Sequence, residues 1–268
     1  MLKKILTIND AKINVVDLGK GPPVLLVHGF PLDLKMWKSQ IVEFAKTHRV
    51  ICPDLAGFGL SRCREPRMQL QTHAQDLADL LSALDVHERV VYCGLSMGGY
   101  IGWEFWKQNP EKVSGMIACN TRAANDSLEV ARGRRIAAKS IYQTGTLVLA
   151  RQMAPRLLHC DPRKSKNTIQ SDVEKTIEST SPDSIAAGQI AMSKRSDAKP
   201  WLPLINCPAL FIGGEHDEIT TTREMSSDAA LLPNAQFVEI KHAGHLTPLE
   251  QSESFNHHVL KFLNSNHF

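Results

Sequence analysis

The sequence lacks any apolar run long enough to cross a membrane, and its amino-terminal stretch does not have the pattern expected of a secretion signal. A membrane-spanning helix needs about 18 or more consecutive apolar residues, and no segment approaches that length. The basic amino-terminal stretch MLKKILTIND loses its apolar character within a few residues, whereas a signal peptide needs an apolar stretch of about 7–15 residues. We therefore expect a cytoplasmic protein with no membrane partner.

Cysteine is sparse, and its spacing excludes the usual metal and redox motifs. The six cysteines form no Cys-x-x-Cys pair, which is the spacing that zinc sites and redox motifs use. Cys52, Cys93 and Cys119 lie inside apolar runs, where a reduced thiol behaves as a small hydrophobic side chain. The pattern predicts reduced cysteines, no disulfide and no structural metal.

A large excess of charge of one sign is also missing. The net charge is only +3 over 268 residues, of which 43% are hydrophobic, so the chain can bury a large core. The one dense basic cluster is Arg132, Arg134 and Arg135, with Asp126 and Glu129 nearby and no interleaved aromatic residues. Nucleic-acid binding needs a basic face, often with stacking aromatics, so we interpret this cluster as a solvated helix face. The expected partner is a small molecule, and a homodimer is left open.

Strand-like and helix-like segments alternate along most of the chain. This order predicts an α/β fold with a mostly parallel sheet of eight strands and helices on both faces. The first two strands are joined by a very short connection and are expected to form an antiparallel hairpin at the sheet edge. The predicted strands are roughly residues 3–8, 12–18, 24–28, 49–53, 90–94, 114–119, 209–213 and 235–240, and the clearest helices are 70–84, 97–108 and 249–263.

The alternation stops between residues 121 and 199. This stretch has no strand-like run and carries 14 Lys and Arg against 8 Asp and Glu. Capping residues suggest several short helices, beginning near Asp126, Thr146, Asp161 and Ser181. The sequence therefore predicts a basic helical insertion at 121–199, placed on a core domain made of 1–120 and 200–268.

Ser96 is the candidate nucleophile. It is the serine of a Gly-x-Ser-x-Gly pattern whose glycines are Gly94 and Gly98, and an apolar strand leads into it while a helical segment follows. A nucleophile at such a strand–turn–helix junction sits on a strained turn, where side chains at the two flanking positions would collide. Because a serine hydroxyl is a weak nucleophile, it also requires a base.

Two histidines after the last predicted strand could supply that base. The segment IKHAGHLTPLE offers His242 and His245, at the same carboxyl edge of the sheet as Ser96. We choose His245, because it lies further along the loop and precedes a helix start. The spacing of the two histidines could also indicate a metal pair, but no third ligand accompanies them.

The base needs an acid that fixes its tautomer. The segment GGEHDEIT, which follows the seventh predicted strand, offers Glu215, Asp217 and Glu218. Asp217 lies just where the strand passes into its loop and is our candidate. The order serine, aspartate, histidine is the order used by enzymes with this type of serine turn.

A developing oxyanion needs two hydrogen-bond donors. The residue after the nucleophile is Met97, and the loop after the third predicted strand contains His28-Gly29-Phe30. The backbone N–H groups of Met97 and Phe30 are therefore the expected oxyanion hole. We interpret His28 as a residue that holds this loop by hydrogen bonding rather than as a second base.

Five segments, in order, resemble recurring blocks of the α/β-hydrolase superfamily over nearly the whole chain. They are HGFPLDLKMW, PDLAGFGLS, GLSMGG, GGEHDEIT and HAGHLTPLE. The resemblance implies an α/β-hydrolase fold, a structural role for the loop of residues 54–61, and a helical lid after the sixth strand, which matches 121–199. GLSMGG and NTRAAND are similar to carboxylesterases and 3-oxoadipate enol-lactonases. Ser96 stands where dehalogenases and epoxide hydrolases carry aspartate, and Thr221 stands where many relatives have proline.

The resemblance implies hydrolysis of a small carboxylic ester or lactone through an acyl-enzyme on Ser96, without a cofactor or metal. Three other functions would use the same residues: hydrolysis of a carbon–carbon bond in a ring-fission product, ligand reception with slow residual hydrolysis, and acyl transfer to an acceptor other than water. The basic insertion, with Arg122 just after the sixth predicted strand, further suggests a substrate that carries a carboxylate.

Overall fold

The computed structural model describes residues 3–159 and 168–268. Within these ranges one sheet contains nine strands. The strands are β1 (Lys3–Ile8), β2 (Ala11–Leu18), β3 (Pro23–Val27), β4 (Arg49–Pro53), β5 (Arg62–Cys63), β6 (Val90–Leu95), β7 (Val113–Cys119), β8 (Ala209–Gly214) and β9 (Ala235–Ile240).

The strand order across the sheet is β1-β2-β4-β3-β6-β7-β8-β9, with β5 paired to β2. β1, β2 and β4 pair antiparallel, and β4, β3 and the remaining strands along this order pair parallel. The predicted hairpin at the sheet edge and the mostly parallel sheet are therefore confirmed. β5 was missed because a strand of two residues shows no periodicity, so the sixth predicted strand is β7.

Helices cover both faces of the sheet, as predicted. One buried apolar cluster includes residues of α2 (Leu70–Ala83), α3 (Met97–Gln108) and α8 (Thr222–Ala229), and the other includes residues of α1 (Lys38–Phe44) and α10 (Ser252–Ser265). β3, β6 and β8 are buried along their whole length. Coverage on both faces explains why these strands are continuous apolar runs rather than alternating ones.

Among the described residues between β7 and β8 there are four α-helices and one 3-10 helix, Lys199–Leu204: the α-helices are α4 (Leu128–Thr144), α5 (Thr146–Leu157), α6 (Thr168–Ser179) and α7 (Pro182–Ser193). Ser127, one residue past the predicted start at Asp126, caps α4 by accepting a hydrogen bond from Val130 N–H. Ser181 caps α7 as predicted. The predicted start at Asp161 lies outside the described residues. The division into a core of 1–120 and 200–268 and a lid of 121–199 stays a prediction.

The basic cluster of α4 faces solvent for the most part. Arg132 and Arg135 are exposed, while Arg134 donates to Asp126 at 2.7 Å. These positions fit the interpretation of a solvated helix face. Across the described ranges, none of the helices combines the length and the apolar character that a membrane span requires.

Candidate active site

The four parallel strands β6, β7, β8 and β9 end at one edge of the sheet, where they place the candidate residues. Neighbouring strands pair in register up to their last residues, as in Leu95 with Cys119 and Gly214 with Ile240. Ser96 follows β6 directly, and Asp217 and His245 lie in the loops after β8 and β9. The fold therefore places all three candidates at the same edge of the sheet, although Ser96 is more than a hundred positions from the other two in the chain.

Ser96 occupies a strained turn between β6 and α3. Its backbone angles are φ 53° and ψ −112°, a combination that non-glycine residues rarely adopt and that surrounding contacts must hold in place. The Ser96 N–H donates to Cys119 O at 2.9 Å, and the Ser96 carbonyl accepts from Thr121 Oγ1 at 2.8 Å. The turn thus lifts the half-buried Ser96 side chain out of the sheet edge.

The two flanking glycines are required by close packing. A Cβ on Gly94 would lie 2.4 Å from the carbonyl oxygen of Gly98, and a Cβ on Gly98 would lie 2.3 Å from the carbonyl oxygen of Val27. Both distances are too short for a real carbon–oxygen contact. The predicted steric reason for the Gly-x-Ser-x-Gly pattern is confirmed, with β3 as an additional neighbour.

Asp217 and His245 form a direct, buried hydrogen bond. His245 Nδ1 lies 2.8 Å from Asp217 Oδ2, and both residues are at most 5% exposed. The other Asp217 oxygen accepts the backbone N–H groups of Ile219 at 2.8 Å and Thr220 at 3.0 Å. Because the carboxylate only accepts hydrogen bonds, His245 carries its proton on Nδ1 and leaves Nε2 free to act as a base.

The surroundings of Asp217 keep it ionised. Burial acts to raise the pKa of Asp217, but the charge of His245 and the hydrogen bonds that the carboxylate accepts outweigh it and hold the pKa well below its usual range. A carboxylate that stays charged can stabilise a positively charged imidazolium at His245 when that group takes up a proton.

Asn120 is a site residue that the sequence analysis missed. Its Nδ2 donates to Asp217 Oδ2 at 2.9 Å and to the Gly244 carbonyl at 3.2 Å, and its Oδ1 accepts from Thr247 Oγ1 at 2.6 Å. Asn120 also has a positive φ of 44°. The available signal was its position, because it is the first polar residue after the buried strand β7.

The other residues that the sequence offered as acid or base, His242, Glu215 and Glu218, do not take part in the hydrogen bond between Asp217 and His245. His242 is exposed, and its N–H donates to Glu215 at 3.0 Å, while Glu218 is exposed as well. In the part of the chain that the structure describes, no hydrogen bond joins Ser96 Oγ to His245. Such bonds are often long in the absence of substrate and tighten only in the reacting complex.

The two expected oxyanion donors belong to segments that are next to Ser96 in the chain or in space. Met97 is the first residue of α3, and Phe30 follows β3 in a loop that passes close to the nucleophile, since a Cβ on Gly29 would lie 3.4 Å from Ser96 Cβ. Over residues 3–159 and 168–268, neither the Phe30 nor the Met97 backbone N–H donates a hydrogen bond to the protein. Both amides are available to a bound oxygen.

His28 hydrogen-bonds within the loop, as the sequence analysis expected. Its Nδ1 lies 3.0 Å from the Gly29 carbonyl, and its Nε2 accepts the Leu55 N–H at 3.0 Å. Burial lowers the pKa of His28. With both ring nitrogens in use, His28 holds the loop in place and has no nitrogen left to act as a base.

His73 provides a test of how the core responds to acid. It is 1% exposed, its Nδ1 has no partner among the described residues, and burial lowers its pKa to about 3. Below pH 6.5 the unfolded chain gains a proton that the folded chain excludes, so the free energy of unfolding falls as the pH drops. We expect His73→Leu to flatten this fall by up to about 1.4 kcal/mol per pH unit.

Denaturant unfolding measured between pH 6.5 and 3 compares this variant with wild type and with His87→Leu, which replaces an exposed histidine. The His87 variant is expected to keep the wild-type slope. If the free energy of unfolding falls equally steeply with pH in all three proteins, His73 takes up its proton in the folded chain as it does in the unfolded chain, and the prediction is wrong.

Arg122 is engaged with the protein itself. Its guanidinium donates to the Ile219 carbonyl and pairs with Glu224 Oε2 at 3.3 Å. Thr221, which replaces the more usual proline, caps α8 by accepting the Glu224 N–H at 3.3 Å. The positive charge that was expected to attract a substrate carboxylate is thus largely neutralised within the acid loop and α8.

Among the residues that the structure describes, Glu215, His216 and His242 form a group whose ligand atoms lie within 4.8 Å of one another. The sequence analysis found no third ligand, because it looked for partners of His242 and His245 together. Glu215 already accepts Lys241 Nζ and the His242 N–H, each at 3.0 Å, and its pKa is lowered to about 2 by these bonds. The group forms an ion-pair network at the surface.

A family model described as the alpha/beta hydrolase fold matches residues 22–252. Since the match spans most of the 268 residues and the fold and serine turn agree with it, this chain belongs to the alpha/beta hydrolase family.

Several of the similar proteins are named as esterases or enol-lactonases, while another is named as a putative non-heme bromoperoxidase of Mycobacterium tuberculosis, 31% identical over 263 residues, which are 93% of this chain and 96% of that protein. The 3-oxoadipate enol-lactonase 2 of Acinetobacter baylyi is 26% identical over 259 residues, which are 96% of this chain and 95% of that protein. A thermophilic esterase from Thermogutta terrifontis, in a structure with malate bound, has a TM-score of 0.94 and 36% identity, over 100% of both chains. The enol-lactonase of Burkholderia xenovorans has a TM-score of 0.89 and 26% identity, over 97% of this chain and 100% of that one. Within its family, this chain resembles the carboxylic ester hydrolases.

Proposed function

We propose that this protein is a serine hydrolase that cleaves a small carboxylic ester or lactone through an acyl-enzyme on Ser96. The observation that carries the proposal is the buried 2.8 Å hydrogen bond between His245 and Asp217, at the sheet edge where Ser96 occupies its strained turn. The similarity to esterases and enol-lactonases supports the class of substrate.

Acylation begins with attack of Ser96 Oγ on the substrate carbonyl carbon. As the Oγ–carbon bond forms, His245 Nε2 takes the hydroxyl proton, and the electron pair of the carbonyl moves onto its oxygen. The N–H groups of Phe30 and Met97 donate to this oxyanion. Asp217 remains ionised and stabilises the protonated His245.

The tetrahedral intermediate then collapses. The carbonyl forms again, the bond to the leaving oxygen breaks, and His245 donates its proton to that oxygen, which leaves as an alcohol or enol. In a lactone this oxygen stays attached to the acyl chain. Water, deprotonated by His245, attacks the acyl-enzyme by the same route and releases the carboxylic acid, so that Ser96 regains its proton.

The test is hydrolysis of short p-nitrophenyl acyl esters by wild type, His245→Ala and His242→Ala. We expect wild type to turn over repeatedly, His245→Ala to lose at least about a thousandfold in kcat because the base is gone, and His242→Ala to stay close to wild type because its side chain is exposed.

Each alternative function predicts a different result when the substrates or the acceptor are varied. Turnover of a vinylogous diketone without short-ester activity would replace the proposal with carbon–carbon hydrolysis, and a single stoichiometric turnover would indicate a receptor. Transfer of the acyl group to an added alcohol in preference to water would indicate an acyltransferase. Equal loss in both histidine variants would contradict the choice of His245.

Substrate charge is a separate prediction. Because Arg122 is paired with Glu224 and Arg132 and Arg135 face solvent, we expect neutral esters to be hydrolysed with kcat/KM at least equal to that of matched esters carrying a carboxylate. The measurement is kcat/KM for p-nitrophenyl butyrate against a p-nitrophenyl hemiester of a dicarboxylic acid. A tenfold or greater preference for the anionic ester would restore a role for the basic insertion in binding a carboxylate.

A further inference from the structure

Helix α7 packs directly on the loop that carries the proposed oxyanion donor Phe30. A Cβ placed on Gly188 would lie 2.8 Å from both Cδ2 and Cε2 of the Phe30 ring and 3.5 Å from Cζ of Phe58. The two rings themselves meet edge to face, with centroids 6.3 Å apart. Only a glycine at position 188 therefore allows the helix and the Phe30 ring to approach this closely without a shift.

Two buried hydroxyl groups of the same segment bind the backbone of neighbouring loops. Thr180 Oγ1 shares its one proton between the Pro31 carbonyl at 3.2 Å and the Thr176 carbonyl at 3.0 Å, and Ser184 Oγ donates to the Gly57 carbonyl at 2.6 Å. Thr180 is 5% exposed and Ser184 is 7% exposed. Ser184 and Gly188 are four residues apart within α7, so they lie along one side of the helix, and Thr180 lies just before the cap residue Ser181.

The core holds the same loop from the opposite direction. His28 contacts the Gly29 carbonyl and the Leu55 N–H, each at 3.0 Å. The backbone around Phe30 is therefore fixed between the sheet on one side and α7 on the other. Its position depends on both contacts, because a loop held by one of them alone could move away from Ser96.

We infer that α7, together with Thr180 just before it, is a positioning element for the reaction: Thr180 and Gly188 set where the Phe30 N–H lies relative to the Met97 N–H. This inference rests on the proposed function. An oxyanion donor must lie about 2.7–3.1 Å from the oxygen in the transition state, and a displacement of about 1 Å can cost roughly a hundredfold in rate. The insertion between β7 and β8 thereby acts on the chemical step itself.

The experiment compares Gly188→Ala with a matched control in the same insertion. Gly133, in the middle of α4, has no atom within 4 Å of an added Cβ, so Gly133→Ala gains the same helix propensity without a clash. We expect Gly188→Ala to lower kcat at least about tenfold while KM changes less than about threefold. Gly133→Ala is expected to match wild type in both constants.

A second pair of variants removes a hydroxyl without adding volume. Thr180→Val deletes the contact with the Pro31 carbonyl together with a local bond to the Thr176 carbonyl. Thr144→Val deletes only a local bond of the same kind, from Thr144 Oγ1 to the Ser140 carbonyl at 3.1 Å. We expect Thr180→Val to reduce kcat several-fold and Thr144→Val to leave it unchanged. This pair also keeps the inference testable if Gly188→Ala fails to fold.

Inhibitor binding distinguishes positioning from a general loss of structure. A trifluoromethyl ketone forms a tetrahedral adduct with Ser96 and fills the oxyanion hole, whereas the corresponding methyl ketone probes ground-state binding. For Gly188→Ala we expect weaker inhibition by the trifluoromethyl ketone, by the same factor as the loss in kcat/KM, and an unchanged constant for the methyl ketone. Adding Phe30→Leu to Gly188→Ala makes room for the new methyl group and is expected to recover part of the activity lost.

Unchanged kcat and inhibitor affinity in a folded Gly188→Ala enzyme, together with unchanged Thr180→Val, would overturn the positioning role of α7. Equal weakening of both ketones would overturn it as well, because the defect would then lie in substrate binding. Ser96-dependent ester hydrolysis by wild type is measured beside these variants. If that hydrolysis is present, the proposed function stands whatever the α7 variants do.

Discussion

Ser96→Ala is expected to reduce kcat for ester hydrolysis by on the order of a millionfold. The variant removes the oxygen that we propose forms the acyl-enzyme, and the alanine side chain is smaller than that of serine, so it fits the space at the turn between β6 and α3. The fold should be unchanged, because the hydrogen bonds at residue 96 that hold the turn come from its backbone N–H and carbonyl. The measurement is steady-state hydrolysis of p-nitrophenyl acetate.

The matched control is Ser227→Ala, which removes an exposed hydroxyl of α8 that donates to the Arg223 carbonyl within the same helix. This variant is expected to keep wild-type kcat and KM. The prediction fails if Ser96→Ala, shown to be folded by its denaturant midpoint, retains more than about a thousandth of the wild-type rate. Such activity would mean that another group in the chain attacks the ester.

Asp217→Asn is expected to lower kcat by about ten-thousandfold with little effect on KM. The carboxylate now accepts His245 Nδ1, Asn120 Nδ2 and the Thr220 groups. An amide has one oxygen in place of two, so one of these donors faces an NH2 group, and His245 is pushed toward the tautomer that carries its proton on Nε2. The negative charge that stabilises protonated His245 is lost as well.

Glu218→Gln is the control for this substitution, because it makes the same chemical change in an exposed residue of the same loop. It is expected to retain wild-type activity across the pH range of the assay. A larger loss in Glu218→Gln than in Asp217→Asn would show that the acid had been assigned to the wrong residue of GGEHDEIT.

The parts of the fold that sequence predicts are those with a strong local signal. Continuous apolar runs predicted the buried strands, and the short connection between residues 8 and 12 predicted the edge hairpin, which β1 and β2 form. The two-residue strand β5 carries no periodicity and depends on its pairing with β2, so only the tertiary structure reveals it.

The candidate site also has residues that the sequence predicts and one that it does not. Strand ends at one edge of a parallel sheet bring distant residues together, which is why Asp217 and His245 could be proposed as partners before their 2.8 Å contact was seen. Asn120 was missed because asparagine after a strand is common in turns, and nothing local shows that it will reach Asp217.

Long-range contacts were beyond the reach of sequence reasoning. The hydrogen bond from Thr180 to Pro31 joins residues 149 positions apart, and Arg122 binds the Ile219 carbonyl across 97 positions. The sequence suggested that the basic insertion, with Arg122, favours a substrate that carries a carboxylate, because composition counts charges without their partners. The pairing of Arg122 with Glu224 can be seen only in three dimensions.

Trapping the covalent intermediate tests the proposed mechanism most directly. Wild-type protein is mixed with p-nitrophenyl acetate, quenched in acid within the first turnovers, digested and analysed by mass spectrometry. We predict one acetyl group on the peptide that contains Ser96, present in wild type, increased in Asp217→Asn if deacylation becomes slowest, and absent in Ser96→Ala. Acetyl groups found only on other residues, or rapid hydrolysis with no acetyl group on Ser96 at any quench time, would contradict the acyl-enzyme.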